Sequence, residues 1–187
     1  LVFVHGGSAA GPFVPALSGP NRIVIAATRS GHETNYARFG ERFAAAIGSA
    51  QADIDQDGQT SVLEAFVTAA QQVQSFYTEA GRLATEHALI DDNGDREGTP
   101  AEWFRGTRVI RRASGDRAPD GDAARLAALI LPPDEQALTV EQRRERDRWE
   151  AELTALRARK PEMDEDAFYR ELERILRRLG AIYRGDS

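Results

Sequence analysis

The stretch from residue 53 to residue 64 restricts the possible fold more than any other part of the sequence. Oxygen-bearing side chains recur at alternate positions, and Gly58 stands sixth, where a loop that wraps around one cation must turn sharply. Apolar helical patterns precede and follow the stretch. This spacing is that of an EF-hand loop, which surrounds calcium with about seven oxygens. Positions one, three, five, seven, nine and twelve are Asp53, Asp55, Asp57, Gln59, Ser61 and Glu64.

Two of the six positions are expected to bind calcium other than through a single side-chain oxygen. We expect Gln59 to ligate through its backbone carbonyl and Glu64 to supply two oxygens from the first turn of the exit helix. The alternative is a solvated acidic turn, since Asp-Gly is common in loops. Six matches in register favour Ca²⁺ as the cofactor. Thr60 at position eight, where an aliphatic residue normally pairs with a partner loop, favours a structural site over a sensor.

A second acidic stretch begins at Asp91. Arg96 occupies the position where glycine is wanted, and it brings a positive charge towards the cation. A metal site and a polar turn that closes the preceding helix both remain open for this stretch. Its candidate ligands are Asp91, Asn93, Asp95 and Glu102.

Composition excludes several classes of protein. The chain of 187 residues has 30 acidic and 24 basic residues, whereas nucleic-acid binders usually carry a basic face. Cysteine is absent, so disulfides, thiolate zinc sites and a thiol nucleophile are excluded. No apolar run reaches the roughly 20 residues that span a bilayer.

Two short apolar runs, Leu1–Val4 and Ile23–Ala27, are expected to be strands. Both are apolar on successive residues, which is typical of buried parallel strands. The small-residue loop Gly6–Gly11 follows the first run, at the end of a strand where α/β sites tend to lie. Because the chain opens directly on a strand, we expect it to be part of a longer protein.

The last 50 or so residues have a different, highly charged helical pattern. Thr139 and Gln142 form a capping box, and Lys160-Pro161 separates two helices. We therefore predict an α/β portion over residues 1–131 and a helical hairpin over residues 132–187. The apolar stripe of the hairpin comprises Trp149, Leu153, Leu156, Phe168, Leu172, Ile175, Leu176, Leu179 and Ile182.

The first two segments together carry a family resemblance. The strand and loop Leu1–Gly11 and the strand and turn Ile23–Tyr36 resemble the legumain-like members of the caspase-fold cysteine peptidases, family C13. The continuation, with its EF-hand-like loop, residues 82–87 and residues 91–95, is similar to a bacterial branch of caspase-like proteins. The implied fold class is α/β: the C-terminal part of a caspase-like parallel sheet, with an EF-hand insertion and a C-terminal helical hairpin.

The resemblance also implies that the catalytic site is degenerate. Ser8 occupies the position of the family's cysteine nucleophile, and the family's His-Gly strand would lie upstream of Leu1. His5 lies on the same strand as Ser8, and a serine depends on an adjacent base. We expect a non-catalytic, calcium-binding module with a structural or protein-interaction role. The alternative is a peptidase-like hydrolase that uses Ser8 with a base from outside this chain.

Expected partners and location follow from these features. Two strands alone are marginal, so a protein partner or an upstream segment is expected along the sheet edge. The stripe of the hairpin is the other expected contact. Nucleic acid and membrane-spanning segments are not expected. An extracytoplasmic location is expected, because weak single calcium loops suit millimolar calcium.

Overall fold

The computed structural model describes residues 1–111, 118–130 and 137–184, which fall into two units, Leu1–Ile130 and Leu131–Ser187. Each unit has its own group of buried apolar side chains, and each is considered by itself. The domain boundary expected at residue 131 lies outside the described residues.

A mixed four-stranded sheet lies at the centre of the first unit. All four residues of the second strand are buried, as the run of successive apolar residues predicts. The α/β class is therefore confirmed. In spatial order the strands are β1 (Val2–His5), β2 (Ile23–Ala26), β3 (Leu89–Asp91) and β4 (Thr99–Pro100).

The expectation of a largely parallel sheet is correct for the first pair only. β1 and β2 are parallel, with Val2 opposite Ile23. β3 is antiparallel to β2, with Leu89 opposite Ala26, and β4 is antiparallel to β3. Two helices separate β2 from β3, so the chain re-enters the sheet near the carboxyl end of β2. A single crossover helix would have returned the chain to the amino end of β2 and made a parallel pair.

Helices cover the sheet and enclose the main core. Phe39, Leu63 and Phe66 are almost fully buried and pack with Ile25 of β2 and Ile90 of β3. The third helix ends at Glu79, and Gly81 then takes a left-handed φ of 63°. The helices are α1 (Phe13–Leu17), α2 (Phe39–Ile47), α3 (Val62–Glu79) and α4 (Asp122–Leu126).

Short elements complete the first unit. A 3₁₀ helix, Ala101–Trp103, follows β4 directly and leads into a two-stranded hairpin of β5 (Phe104–Arg105) and β6 (Arg108–Val109). A second 3₁₀ helix, Ala50–Ala52, precedes α3. These elements bring Phe104 into the core beside Phe66.

The second unit is a helical hairpin of α5 (Val140–Arg159) and α6 (Glu165–Arg184), joined by a 3₁₀ turn, Lys160–Glu162. The expected capping box at Thr139 is present. Much of the apolar stripe is buried between the two helices, whereas Leu176 is half exposed. The buried core of the hairpin comprises Leu138, Trp149, Leu156, Phe168, Ile175 and Ile182. Within the described residues, no helix is both long and apolar enough to cross a bilayer.

Candidate metal centre

The first acidic loop joins the 3₁₀ helix Ala50–Ala52 to α3. Ser49 caps the 3₁₀ helix, because its side-chain oxygen accepts the N–H of Gln51. Ser61 caps α3, because its side-chain oxygen accepts the N–H of Glu64. Both ends of the loop are thus set by local N-cap interactions.

Three carboxylates converge inside this loop. Each of Asp53, Asp55 and Asp57 has an oxygen within 4.8 Å of an oxygen of the other two. The pKa of Asp55 is raised, first by partial burial and then by the negative charges of Asp57, Glu64 and Asp53. A divalent cation among these oxygens would remove the repulsion that raises this pKa.

The backbone of the loop is wound around the carboxylate of Asp53. Its Oδ1 accepts the N–H of Asp57 at 3.1 Å, and its Oδ2 accepts the N–H of Gly58 at 3.0 Å. The Oδ1 of Asp57 accepts the N–H of Gln59 at 2.9 Å. Positions four and six, Gln56 and Gly58, have φ values of 60° and 89°. This path turns the three carboxylates towards one point.

Glu64 closes the loop from the first turn of α3, and it is only 1% exposed. Its Oε1 accepts the N–H groups of Ile54 and Asp55 at 2.8 and 3.1 Å. Its Oε2 accepts both the N–H and the hydroxyl of Ser61, each at 2.8 Å. Glu64 therefore holds positions two, three and nine of the loop together through charge-assisted hydrogen bonds.

This structural role of Glu64 has a signal in the sequence. Ser61 and Glu64 are separated by two residues, the spacing of a capping box, and the structure contains that box. The spacing of the loop predicted both residues as calcium ligands. The hydrogen bonds show that Glu64 also stabilises the loop as a hydrogen-bond acceptor.

The second acidic loop has the same backbone path as the first. Its positions four and six, Gly94 and Arg96, have φ values of 80° and 73°. The Oδ2 of Asp91 accepts the N–H of Arg96 at 3.2 Å, as Asp53 accepts that of Gly58. The Oδ1 of Asp95 accepts the N–H of Glu97 at 2.8 Å, as Asp57 accepts that of Gln59. Arg96 thus adopts the left-handed conformation for which position six normally uses glycine.

A different residue closes the second loop. The Oδ1 of Asp120 accepts the N–H groups of Asp92 and Asn93 at 2.9 and 3.3 Å. Its Oδ2 accepts the N–H and the hydroxyl of Thr99 at 3.1 and 2.6 Å. These donors are positions two, three and nine of the loop, which are the positions that Glu64 binds in the first loop. Asp120 is therefore the structural counterpart of Glu64.

The structure places Asp120, and not the candidate ligand Glu102, beside positions two, three and nine of the second loop. In the first loop a helix follows position nine, so position twelve turns back towards the loop within one helical turn. In the second loop position nine is Thr99 in β4, and a strand rises about 3.3 Å per residue. Glu102 is carried onto the 3₁₀ helix, where it lines a cavity against α3.

Asp92 in turn accepts two hydrogen bonds from the segment that follows Asp120. Its Oδ1 accepts the N–H of Gly121 at 2.9 Å, and its Oδ2 accepts the N–H of Ala124 at 2.8 Å. Both donors lie at the start of α4. Burial raises the pKa of Asp92, and burial raises the pKa of Asp120 to about 7. Thr99 and the backbone N–H groups oppose this rise at Asp120 by stabilising the carboxylate.

The hydroxyl of Ser8, the residue that the sequence resemblance places at a nucleophile position, is engaged in a hydrogen bond to the backbone. Its hydroxyl donates to the carbonyl oxygen of Asn35 at 2.6 Å. The Nδ1 of His5 accepts the N–H of Gly7 at 3.3 Å, and the imidazole lies against the Phe13 ring with centroids 4.4 Å apart. The hydroxyl hydrogen of Ser8 is therefore directed to the backbone rather than to His5.

No protein-family model, curated protein or solved structure matches this chain.

The raised pKa of Asp120 predicts a specific dependence of stability on pH in the presence of a chelator. The pKa of Asp120 is about 7 in the folded protein, whereas the ordinary pKa of an aspartate side chain is 3.8. The stabilisation from the proton is therefore fully present below about pH 4 and is lost as the pH rises through about 7. Urea unfolding of the first unit at a series of pH values measures it.

Asp120→Asn removes the titration, so its unfolding free energy should fall less than that of the wild type as the pH rises from 5 to about 8. The variant will be less stable at every pH, because the amide cannot accept all the hydrogen bonds of the carboxylate. The informative quantity is the slope with pH. Parallel profiles for the two proteins would show that Asp120 does not titrate in this range.

Proposed function

We propose that this chain is a calcium-binding, non-catalytic, caspase-like module with a structural or protein-interaction role. The observation that carries the calcium proposal is the identical hydrogen-bond pattern of the two acidic loops around Glu64 and Asp120. The two loops share Asp at positions one and five, and both turn through left-handed residues at positions four and six. That path directs oxygens inward, and calcium is bound by about seven oxygens at flexible geometry.

In the first loop the proposed ligands are those that the spacing predicts. Asp53, Asp55 and Asp57 form the acidic group, and Glu64 adjoins it through the N–H groups of positions two and three. A carboxylate has about four acceptor sites, and Glu64 uses four for the N–H groups of Ile54, Asp55 and Ser61 and the hydroxyl of Ser61, so ligation of a cation requires the Ser61 hydroxyl to turn away. The remaining proposed ligands are the carbonyl oxygen of Gln59 and, directly or through water, Ser61.

In the second loop we propose Asp120 as the closing ligand in place of Glu102. Asp91, Asn93 and Asp95 take the first three ligand positions, which gives the loop two carboxylates and one amide there instead of three carboxylates. Arg96 adds a positive charge at position six. Because calcium affinity depends on ligand charge, we propose that this loop binds calcium more weakly than the first.

Calcium in these loops would stabilise the first unit. The first loop fixes the start of α3, and the second joins β3 and β4 to α4 through Asp120 and Asp92. A ligand present at 100 times its Kd adds about 2.7 kcal/mol to the free energy of unfolding. Loops of low affinity suit an environment of millimolar calcium, so we propose an extracytoplasmic location.

The non-catalytic and partner-binding parts of the proposal rest on the sheet. The Ser8 hydroxyl donates a hydrogen bond to a backbone carbonyl, which leaves it without the geometry of an activated nucleophile.

The proposed partner surfaces lie on the sheet edge and on the hairpin. Within the described residues, β1 lies at the edge of the sheet and pairs with β2. An upstream strand or a partner strand can pair with this edge. On the hairpin, the proposed contact is formed by three large side chains that are about half exposed, Tyr169, Leu176 and Tyr183.

Isothermal titration of the chelator-treated chain tests the two calcium loops. We expect two calcium ions per chain, with Asp53→Asn and Asp91→Asn each removing one, because each removes a ligand at position one. Asp120→Asn should remove the weaker ion. Glu102→Gln is the control and should leave both ions bound.

The loss of one ion in Glu102→Gln, with both ions retained in Asp120→Asn, would contradict the assignment of Asp120. The absence of calcium binding to the wild-type chain would contradict the proposed function as a whole. Circular dichroism of each variant, recorded before the titration, separates loss of a ligand from loss of the fold.

A reciprocal exchange at position six tests whether the two loops are equivalent. A side chain in the left-handed conformation costs about 1–2 kcal/mol, so Arg96→Gly should raise stability in chelator and Gly58→Arg should lower it. A β-carbon at Gly58 meets nothing within 4 Å, so overlap does not contribute. Removing or adding a positive charge near the ion should also strengthen calcium binding in Arg96→Gly and weaken it in Gly58→Arg.

Urea midpoints in chelator and calcium titrations measure the two effects separately. If the urea midpoint or the calcium affinity changes in the same direction in Arg96→Gly and Gly58→Arg, position six is not equivalent in the two loops.

A further inference from the structure

A cavity of about 170 Å³ lies in the first unit, apart from both acidic loops. Its apolar surface includes Phe39, Val67 and Phe104, which belong to the main core. It adjoins the end of β2, because Ala27 lines it and directly follows that strand. Sites in α/β proteins tend to lie at this end of parallel strands.

The carboxylates that line the cavity are those of Glu86 and Glu102. The other polar side chains are those of Gln71, Gln74 and His87, and among the described residues no lysine or arginine lines it. The Nδ1 of His87 lies 2.6 Å from the Oε1 of Glu33, so Glu33 balances any positive charge on the imidazole. The cavity therefore presents net negative charge.

Glu86 is the more constrained of the two lining carboxylates, at 4% exposure. Its Oε2 accepts the N–H groups of Arg38 and Phe39 at 2.8 and 3.0 Å, at the start of α2. Its Oε1 accepts the hydroxyl of Tyr77 at 3.2 Å. A carboxylate has about four acceptor sites, so Oε1 retains capacity for one further donor. Because buried charges are stabilised by pairing, a cationic donor suits this position.

The volume limits the size of a ligand. A protein cavity of about 150 Å³ accommodates benzene, so 170 Å³ admits a molecule of about six to eight non-hydrogen atoms. Such a ligand must combine an apolar body with a group that donates hydrogen bonds and carries positive charge. We propose that the cavity binds a small organic cation, with an ammonium or guanidinium group towards Glu86 and Glu102 and an apolar stem against the core.

Titration of the ¹⁵N-labelled full chain with three ligands of matched ring size tests this proposal. Benzylamine should shift the amide signals of residues 67–74 and 86–88 and bind at least five-fold more tightly than neutral benzyl alcohol. Benzoate should not bind. Equal binding of benzyl alcohol or benzoate, or no binding of benzylamine, would overturn the proposal.

Two variants and one control locate the site. Glu102→Gln should weaken benzylamine about two- to five-fold, the range of an exposed ion pair, without changing benzyl alcohol. Ala70→Leu fills the cavity from α3 and should abolish the binding of both. Glu79→Gln changes an exposed carboxylate of α3 outside the cavity and should have no effect. Unchanged benzylamine binding in Ala70→Leu would overturn the assignment of the cavity.

The same chemistry can come from a free small cation or from a basic side chain of a peptide, and a further pair of ligands separates these sources. n-Butylguanidine represents the free cation, and a terminally blocked Gly-Arg-Gly peptide represents the side chain. Binding of the peptide at least as tightly as n-butylguanidine identifies a basic peptide as the ligand, whereas binding of n-butylguanidine alone identifies a free cation. If neither ligand binds, the cavity does not accept a guanidinium group, which contradicts that part of the proposal.

Discussion

A carboxylate that accepts hydrogen bonds from both ends of a loop determines the conformation of each acidic loop in this protein. Glu64 and Asp120 each bind the N–H groups of positions two, three and nine and the hydroxyl of position nine. Position nine is buried in both loops, as Ser61 and Thr99, and an unpaired N–H there would cost about 1–3 kcal/mol. Both carboxylates are almost fully buried, and the turns of both loops depend on them.

These two carboxylates also join the loops to the rest of the first unit. Glu64 belongs to α3, the longest helix against the sheet, so the first loop is tied directly to the main core. Asp120 precedes α4, and Asp92 returns two hydrogen bonds to the start of that helix. The second loop, the neighbouring strands β3 and β4, and α4 are therefore stabilised together. Ion binding in either loop would act on elements well beyond the loop itself.

The spacing of Asp53, Gly58 and Glu64 predicted where the first loop turns, because the hydrogen bonds that Asp53 and Glu64 accept from the loop are local in sequence. The closing residue of the second loop was not predictable, since Asp120 is distant from Asp91 and belongs to no motif. The same limit applies to the sheet: the apolar runs predicted β1 and β2, but the direction of β3 depends on how two intervening helices return the chain. Arg96 was judged unfavourable at position six, yet backbone hydrogen bonds to Asp91 hold it in the left-handed conformation.

Anomalous diffraction from crystals grown with calcium measures the central claim directly, because it locates the ions without reference to the loops. We predict one peak among Asp53, Asp55, Asp57 and Glu64, and a second among Asp91, Asn93, Asp95 and Asp120, with ligand distances of about 2.3–2.6 Å. Occupied calcium sites elsewhere with both loops empty, or a second ion bound by Glu102 instead of Asp120, would contradict the equivalence of the two loops.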